Sequence, residues 1–278
     1  MKIKIAFSDF WGGFEYNPTG KNNYDNVFYR ILSEKFDIEI SNNPDILIYS
    51  VFGNTHLRYN CKKILYTGEN RRPNYNECDY SITFDYIDDP RNLRFPLSSI
   101  TLYEHGIYDD FEKNIDFEKI KLEKTDFCNF VFSNPSAQYR NILFKELSKY
   151  KNVDSGGRAL NNIGYFVKDK LEFQNKYKFS ISFENSEYPG YTTEKIVHPK
   201  IVNSIPIYWG NPLVHKDWNT KSFINAYDFE NINQLIEYIK EVDNDDDLYF
   251  KMLREPHFNK PKSKDLEHKS VIEFFDRL

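Results

Sequence analysis

The sequence predicts an α/β protein made of two mostly parallel-sheet units. Short apolar runs rich in β-branched and aromatic residues recur along it, each bounded by turn formers, and such runs read as buried strands. Segments with helical spacing alternate with them, and a strand–helix–strand rhythm gives parallel sheets. A length of 278 residues suits two units of about 120–140 residues.

The clearest such unit spans residues 178–212. Two apolar runs, Phe179–Phe183 and Ile205–Trp209, flank a polar loop, Glu184–Tyr191, and a helix beginning near Thr192. Ligands of such sheets bind beyond the carboxyl ends of the strands, which makes Asn185, Tyr191, Glu194 and Lys195 candidates for a ligand site.

The other elements follow in order. Residues 2–8 form a first strand, and the loop after it carries Phe10, Trp11, Phe14 and Tyr16, whose rings suit either a sugar face or the next helix. A helix is predicted over 24–35, with strands at 37–40, 46–51, 62–67 and near 80–84. Residues 86–125 read as charged and irregular, with Pro90 and Pro96 as breakers and a linker around Lys113–Lys124. A second set opens with a strand at 126–133; Asn134 and Pro135 then start a helix over 136–149. A strand at 152–154 and a helix at 168–176 precede the 178–212 unit. After it come a strand at 223–226, helices at 232–242 and 248–254, and a last helix over 266–278. The resulting division is 1–120, 121–258 and a helical tail, 259–278.

Composition narrows the partners. A net charge of −5 and a pI near 5.8 argue against nucleic acid and anionic membrane surfaces, so a phosphate ligand must be met by a few placed cations. Cys61, Cys78 and Cys128 show neither CxxC nor zinc-like spacing, which suits a reducing compartment. No run reaches transmembrane length. The expected location is the cytoplasm, with at most peripheral membrane contact. Several motifs are absent: P-loop, GxGxxG, HExxH and GxSxG. The acidic run Asp243–Asp247 formally matches a DxD metal motif, but no strand precedes it, and it reads as an acidic loop.

Individual residues have two readings each. Lys195, near a helix start, opposes the helix dipole; it is either drawn by an anionic ligand or a solvated lysine paired with Glu194 or Glu187. Arg140 follows the 126–133 strand and is either its partner on a diphosphate or a surface arginine. Glu69 closes the 62–67 strand as a general base or a turn carboxylate. Glu184 suggests an acceptor for a ligand hydroxyl.

SFENSEYPGYTTEKIVHPKIVNSIPIYWGNP resembles the donor-binding signature of the GDP-fucose-dependent α-1,3/4-fucosyltransferases, the bacterial members above all. YTGEN at 66–70, SDFWGG at 8–13, SNPSAQYRN at 133–141, SGGRALNNIGY at 155–165 and KSFINAYDF at 221–229 follow in family order. The resemblance covers roughly residues 3–255 and implies a GT-B architecture: two Rossmann-like domains facing a cleft, the N-terminal one for the acceptor and the C-terminal one for the donor. It implies inverting, metal-independent transfer of L-fucose from GDP-fucose to an oligosaccharide hydroxyl, commonly O3 of GlcNAc, with no cofactor beyond the donor substrate. Arg140 and Lys195 match the family's diphosphate pair, and Glu194 its ribose contact. Asn185 and Tyr191 match donor-pocket residues, while Tyr66 and Glu69 match the acceptor-side pair, Glu69 as base. Such a base should be tuned upward by partial burial. A transferase using another GDP-sugar, and a silent sugar- or nucleotide-binding protein, are the alternatives. Pro199, where a non-proline is usual, should kink or shorten the helix after TTEK.

Overall fold

The structure, a computed structural model, describes residues 2–12, 14, 26–107 and 115–278. Its chain divides into residues 1–108 with 263–278, and residues 109–262. In the first unit, β1 (Lys2–Ser8), α1 (Val27–Ser33), β2 (Asp37–Ile40), β3 (Ile46–Tyr49), β4 (Lys62–Tyr66), β5 (Tyr80–Thr83), β6 (Asn92–Arg94) and α2 (Leu97–Glu104) follow one another. The strands form one sheet in the order β2-β1-β3-β4-β5-β6, parallel throughout. Every residue of β3 is buried, as a strand covered on both faces requires. Asn26 starts α1 by accepting from the Tyr29 N–H at 2.9 Å, and Val27, Phe28, Ile31 and Leu32 turn to the core. The helix predicted over 24–35 is thus Val27–Ser33, and residues 24–25 lie outside the described residues, as does Tyr16.

The second unit runs α3 (Phe117–Glu123), β7 (Asp126–Phe130), α4 (Gln138–Leu147), β8 (Val153–Ser155), α5 (Lys170–Asn175), β9 (Tyr177–Phe183), α6 (Glu194–Ile201), β10 (Ile205–Trp209), β11 (Ile224–Asn225), α7 (Ile232–Asn244) and α8 (Asp246–Arg254). Its parallel sheet is ordered β11-β10-β9-β7-β8. Phe130, Phe179, Phe183, Ile207, Leu143 and Ile239 lie in one core.

Three sequence expectations change. Residues 86–125 hold β6, α2 and α3: Pro96 is the residue that caps α2, since proline is tolerated ahead of a first turn, and Asp116 caps α3 by accepting from the Lys119 N–H at 3.1 Å. The predicted linker therefore contains a helix, and its residues 113–114 lie outside the described residues. Pro135 does not open α4; Ala137 stands at the cap, and Asn134 accepts from the Ser136 N–H at 2.9 Å in a turn before it. The acidic run is helical rather than a loop. Asp243 is buried near the end of α7, and Asp245 caps α8 with Asp246 and Asp247 in its first turn, where carboxylates meet the helix dipole favourably.

After these, α9 (Lys269–Phe275) buries Val271, Phe274 and Phe275 in the first unit's core. Asp265, ahead of it, accepts from Arg94 at 2.7 Å, and its carbonyl accepts from Ser99 Oγ at 3.0 Å. The residues read as a separate tail thus form part of the first unit from residue 263 onward.

Asp243 ties three elements of the second unit together. Its carboxylate, 3% exposed, meets Lys178 Nζ at 3.0 Å, accepts from Tyr150 Oη at 3.0 Å and pairs with Lys151. Burial pushes its pKa up, but the hydrogen bonds from Lys151 and Lys178 outweigh that and hold it below the ordinary value. Asp243→Ala should cost about 3 kcal/mol in urea unfolding at neutral pH, because it leaves Lys178 unpaired. A depressed carboxylate stabilises fully above its unfolded pKa of about 4 and loses that contribution as pH falls through the folded value, so the gap between wild type and variant should narrow below about pH 4.

Candidate functional site

The site is built at the carboxyl end of β9. There β9 and β10 run parallel from Phe179↔Ile205 to Phe183↔Trp209, and Glu184 carries on the ladder by donating its N–H to the Trp209 carbonyl at 2.8 Å. Gly210 has φ of +141°, and a Cβ on it would stand 2.4 Å from the Glu184 side chain. Only glycine allows the two strand ends to approach this way.

Glu184 is fully buried. Its Oε1 accepts from the Thr193 N–H at 2.8 Å, and its Oε2 accepts from Thr193 Oγ1 at 2.7 Å and faces Lys195 Nζ at 3.2 Å. Thr193 is the N-cap of α6, and its hydroxyl also accepts from Lys195 Nζ at 3.0 Å. Lys195 Nζ meets Glu194 Oε1 at 3.3 Å on its other side. Lys195 is 9% exposed, so it is a buried ion-pair partner of Glu184 and Glu194 and not a solvated lysine. Glu184 also departs from expectation: with no exposed surface and both oxygens engaged, it does not present an acceptor to a ligand hydroxyl but fixes Thr193 and Lys195.

The charges pull in opposite directions. Burial raises the Glu184 pKa, against Lys195. For Glu194, burial acts upward too, but Lys195, Lys170 and His198 together hold it well below the carboxylate range. Burial would lower Lys195, yet Glu184 and Glu194 hold it above its ordinary value. The site therefore keeps its lysine charged across the neutral range.

Arg140, on α4 after β7, is 1% exposed. Its Nη1 donates to the Phe183 carbonyl and to Asn185 Oδ1, both at 3.2 Å, and its Nη2 to the Asn134 carbonyl at 2.9 Å. The guanidinium lies 3.8 Å from the Phe132 ring centroid, and its Nε, also buried, has no hydrogen-bond partner. Burial lowers its pKa to about 10, against the pull of Glu184, Tyr191 and Glu194. The surface-arginine reading is thus replaced by one in which Arg140, Glu184, Asn185, Glu194 and Lys195 converge on the same sheet edge. Tyr191 joins them as a buried residue whose carbonyl accepts from Tyr208 Oη at 3.4 Å, while Asn185 is exposed. Pro199 lies within α6, which ends at Ile201, two residues beyond it.

Two residues that shape this edge escaped the sequence reading. Thr193 fits the signal of a hydroxyl residue just before an acidic first turn. Asn211 is fully buried; its Oδ1 accepts from the Gly190 N–H at 2.7 Å and its Nδ2 donates to Thr192 Oγ1 at 2.9 Å. It had no signal beyond standing next to Gly210.

In the first unit, Tyr66 ends β4 and is fully buried, its ring centroid 6.1 Å from that of Phe10 and 5.0 Å from that of Phe28. Phe10 also stacks on Phe14 at 3.9 Å, so these two rings of the aromatic loop serve packing, whereas Trp11 is 37% exposed. Glu69 sits in a turn where Thr67 Oγ1 accepts from its N–H at 3.1 Å. Its side chain is exposed, and the partial burial anticipated for it is not present in this structure. No three His, Cys, Asp or Glu side chains among the described residues gather so as to hold a metal ion. No described helix is long and apolar enough to cross a membrane.

Two successive parallel-sheet units of Rossmann type, the second with buried cations at its carboxyl edge, define the GT-B class of glycosyltransferase fold. A profile for the α-(1,3)-fucosyltransferase FucT N-terminal domain matches residues 5–103, and one for the glycosyltransferase family 10 (fucosyltransferase) C-terminal region matches residues 121–273. The chain belongs to glycosyltransferase family 10, the fucosyltransferase family. It is 36% identical to α-(1,3)-fucosyltransferase FucT of Helicobacter pylori over an alignment of 317 residues that takes in 99% of this chain and 66% of that protein. A crystal structure of an α-1,3-fucosyltransferase superposes with a TM-score of 0.83 at 33% identity, over 99% of this chain and 89% of that one; its complex with GDP-fucose gives 0.79 at the same identity and coverage. A phage T4 BGT structure with UDP and Mn2+, 14% identical with a TM-score of 0.58 over 100% of this chain and 98% of that one, shares the fold.

Gly210→Ala tests the close approach at Glu184. Backbone strain at positive φ together with displacement of the Glu184 side chain should lower stability by about 1–3 kcal/mol in urea unfolding. An unchanged midpoint would mean that Glu184 does not occupy this position.

Proposed function

We propose that this chain transfers L-fucose from GDP-fucose to a sugar hydroxyl, with inversion and without a metal ion. What supports the reading most is the buried pair Arg140 and Lys195 at one sheet edge, each held in place by neutral or anionic partners. Two placed cations suit a diphosphate: the guanidinium offers a planar fork and the ammonium a point charge. Family membership and the solved GDP-fucose complex of a relative point the same way.

In the proposed reaction the acceptor oxygen attacks C1 of fucose as Glu69 takes its proton. The bond from C1 to the phosphate oxygen breaks, and its electron pair leaves with GDP. A single displacement inverts the configuration at C1. Arg140 and Lys195 stabilise the charge that grows on the diphosphate, and preorganised charges of this kind lower barriers by several kcal/mol. They take the place of a metal. Asn185, Tyr191 and Glu194 bound the donor, Glu194 against the ribose. The acceptor is proposed to be an N-acetyllactosamine-type glycan fucosylated at O3 of GlcNAc, met by Glu69 and loop residues such as Trp11; Tyr66, fully buried, supports that edge from the core and does not touch the acceptor as the resemblance implied. The free thiols of Cys61, Cys78 and Cys128 suit action in the cytoplasm, with at most peripheral membrane contact.

The test is a transfer assay with GDP-fucose against N-acetyllactosamine, lacto-N-biose and lactose, with linkage analysis, in the presence and absence of EDTA. Turnover on N-acetyllactosamine that EDTA leaves unchanged, with an O3-linked product of inverted configuration, is the expected result. Saturation binding of GDP-mannose and GDP-glucose at affinities equal to GDP-fucose would defeat the donor assignment. Glu69→Gln should cut kcat by about 10²–10⁴-fold with little change in donor affinity, and near wild-type turnover would remove Glu69 as the base.

A further inference from the structure

In the first unit, the turn that carries Glu69 is held from both of its ends. β4 and β5 run parallel with Tyr66 opposite Ile82, and Thr67 extends the ladder by donating its N–H to the Ile82 carbonyl at 3.1 Å. The chain therefore leaves the two strands side by side. At the near end of the turn, Thr67 Oγ1 donates to the Glu69 carbonyl at 3.0 Å and accepts from the Glu69 N–H. At the far end, Arg72 folds back onto the exit of β5. Its Nε meets Asp85 Oδ2 at 2.9 Å, its Nη1 donates to Asn70 Oδ1 at 3.1 Å, and its guanidinium lies 5.0 Å from the Phe84 ring centroid. Phe84 is fully buried and the Asp85 side chain is 5% exposed, so the arginine rests on core.

A buried carboxylate is costly unless a cation meets it, and this one binds Arg72 to a fixed place. Arg94, the other cation near Asp85, is itself engaged by Asp265 at 2.7 Å. The guanidinium is planar, so the contact at Nε sets where Nη1 points, which is at Asn70. A lysine could meet Asp85 but, as a point charge on a flexible stem, could not hold Asn70 in the same fork. Glu69 stands between these two anchors with its own side chain exposed, so its aim comes from its backbone. Aim matters for a general base. It works only within hydrogen-bond reach of its proton, and a misplacement of about 1 Å can cost about 100-fold in rate.

We propose that Arg72 and Asp85 are positioning residues for the base: Asp85 anchors Arg72, Arg72 holds Asn70, and the turn from Thr67 to Asn70 thereby presents Glu69 in a fixed place at the sheet edge. The inference rests on the reading of Glu69 given above. Neither residue takes a proton or touches the donor. Their removal has to be separated from a loss of stability, because Arg72→Ala also leaves Asp85 without this partner.

Transfer kinetics and urea midpoints of the full chain, measured on the same variants, separate the two. Arg72→Ala should lower kcat by about 10- to 100-fold while the acceptor KM and the calorimetric affinity for GDP-fucose change less than about two-fold. Arg72→Lys should keep the urea midpoint near wild type, since a cation still meets Asp85, yet recover little of kcat. Asp85→Asn, which keeps an oxygen for Nε, should fall between wild type and Arg72→Ala. In a Glu69→Gln background, Arg72→Ala should cost less than about two-fold more, because residues that act as one unit are not additive. Losses that multiply in that background, or that fall on the acceptor KM, would overturn the proposal in favour of direct contact between Arg72 and the acceptor. A kcat that merely follows the urea midpoint across the three variants would overturn it in favour of a purely structural pair. If Glu69→Gln alone leaves turnover near wild type, the base assignment fails, and Arg72 has nothing to aim. Unchanged kcat in Arg72→Ala, with Glu69→Gln still impaired, defeats the positioning role alone.

Discussion

Glu184 is a carboxylate with no access to water, and much of the second unit is arranged to make that tolerable. An ionised carboxylate taken out of water costs many kcal/mol unless it is paired and hydrogen-bonded. Here the compensation comes from one short stretch of helix start: a backbone N–H and a hydroxyl from Thr193, and the ammonium of Lys195. The β9–β10 register brings Glu184 to the right height, and Gly210 leaves room for its side chain. The lysine is therefore not free to swing outward, because leaving would strand a buried negative charge.

Glu184 and Glu194 show how environment divides two like groups. Both touch the same ammonium, yet one is pushed up by enclosure and the other is drawn down by Lys195, Lys170 and His198. Opposite shifts within a few ångströms are a mark of a site organised around charge rather than of a generic surface. Glu184 spends its oxygens on the scaffold, whereas Glu194 keeps its side chain 29% exposed.

Most of this fold is legible from periodicity. Strands such as β3 and β10 are continuous apolar runs because both of their faces are covered, and that pattern survives without any alignment. Residues 86–125 were unreadable for a physical reason: β6 is only three residues long, and α2 buries Ser98, Ser99 and Thr101 beside Ile100 and Leu102, so its buried face carries no apolar stripe. Asp243 misled because a carboxylate in an acidic run looks solvated until Lys151 and Lys178, distant in sequence, are seen beside it. In the candidate site, chemistry-bearing residues could be named from motif position. Their burial could not: local spacing favoured solvent for Lys195 and Arg140, and placed Glu184 against a ligand. Long-range packing, which spacing does not encode, reverses all three.

The return of residues 263–278 to the first unit has a bearing on how the chain is made. During synthesis, all of residues 109–262 have appeared before Val271, Phe274 and Phe275 exist to complete the first core. The second unit can thus close on itself while the first still exposes the apolar surface that α9 will cover. Folding units generally form as their residues emerge, the earlier-made first. Here the order of completion is inverted, and the unit begun first is the one left waiting for its last helix.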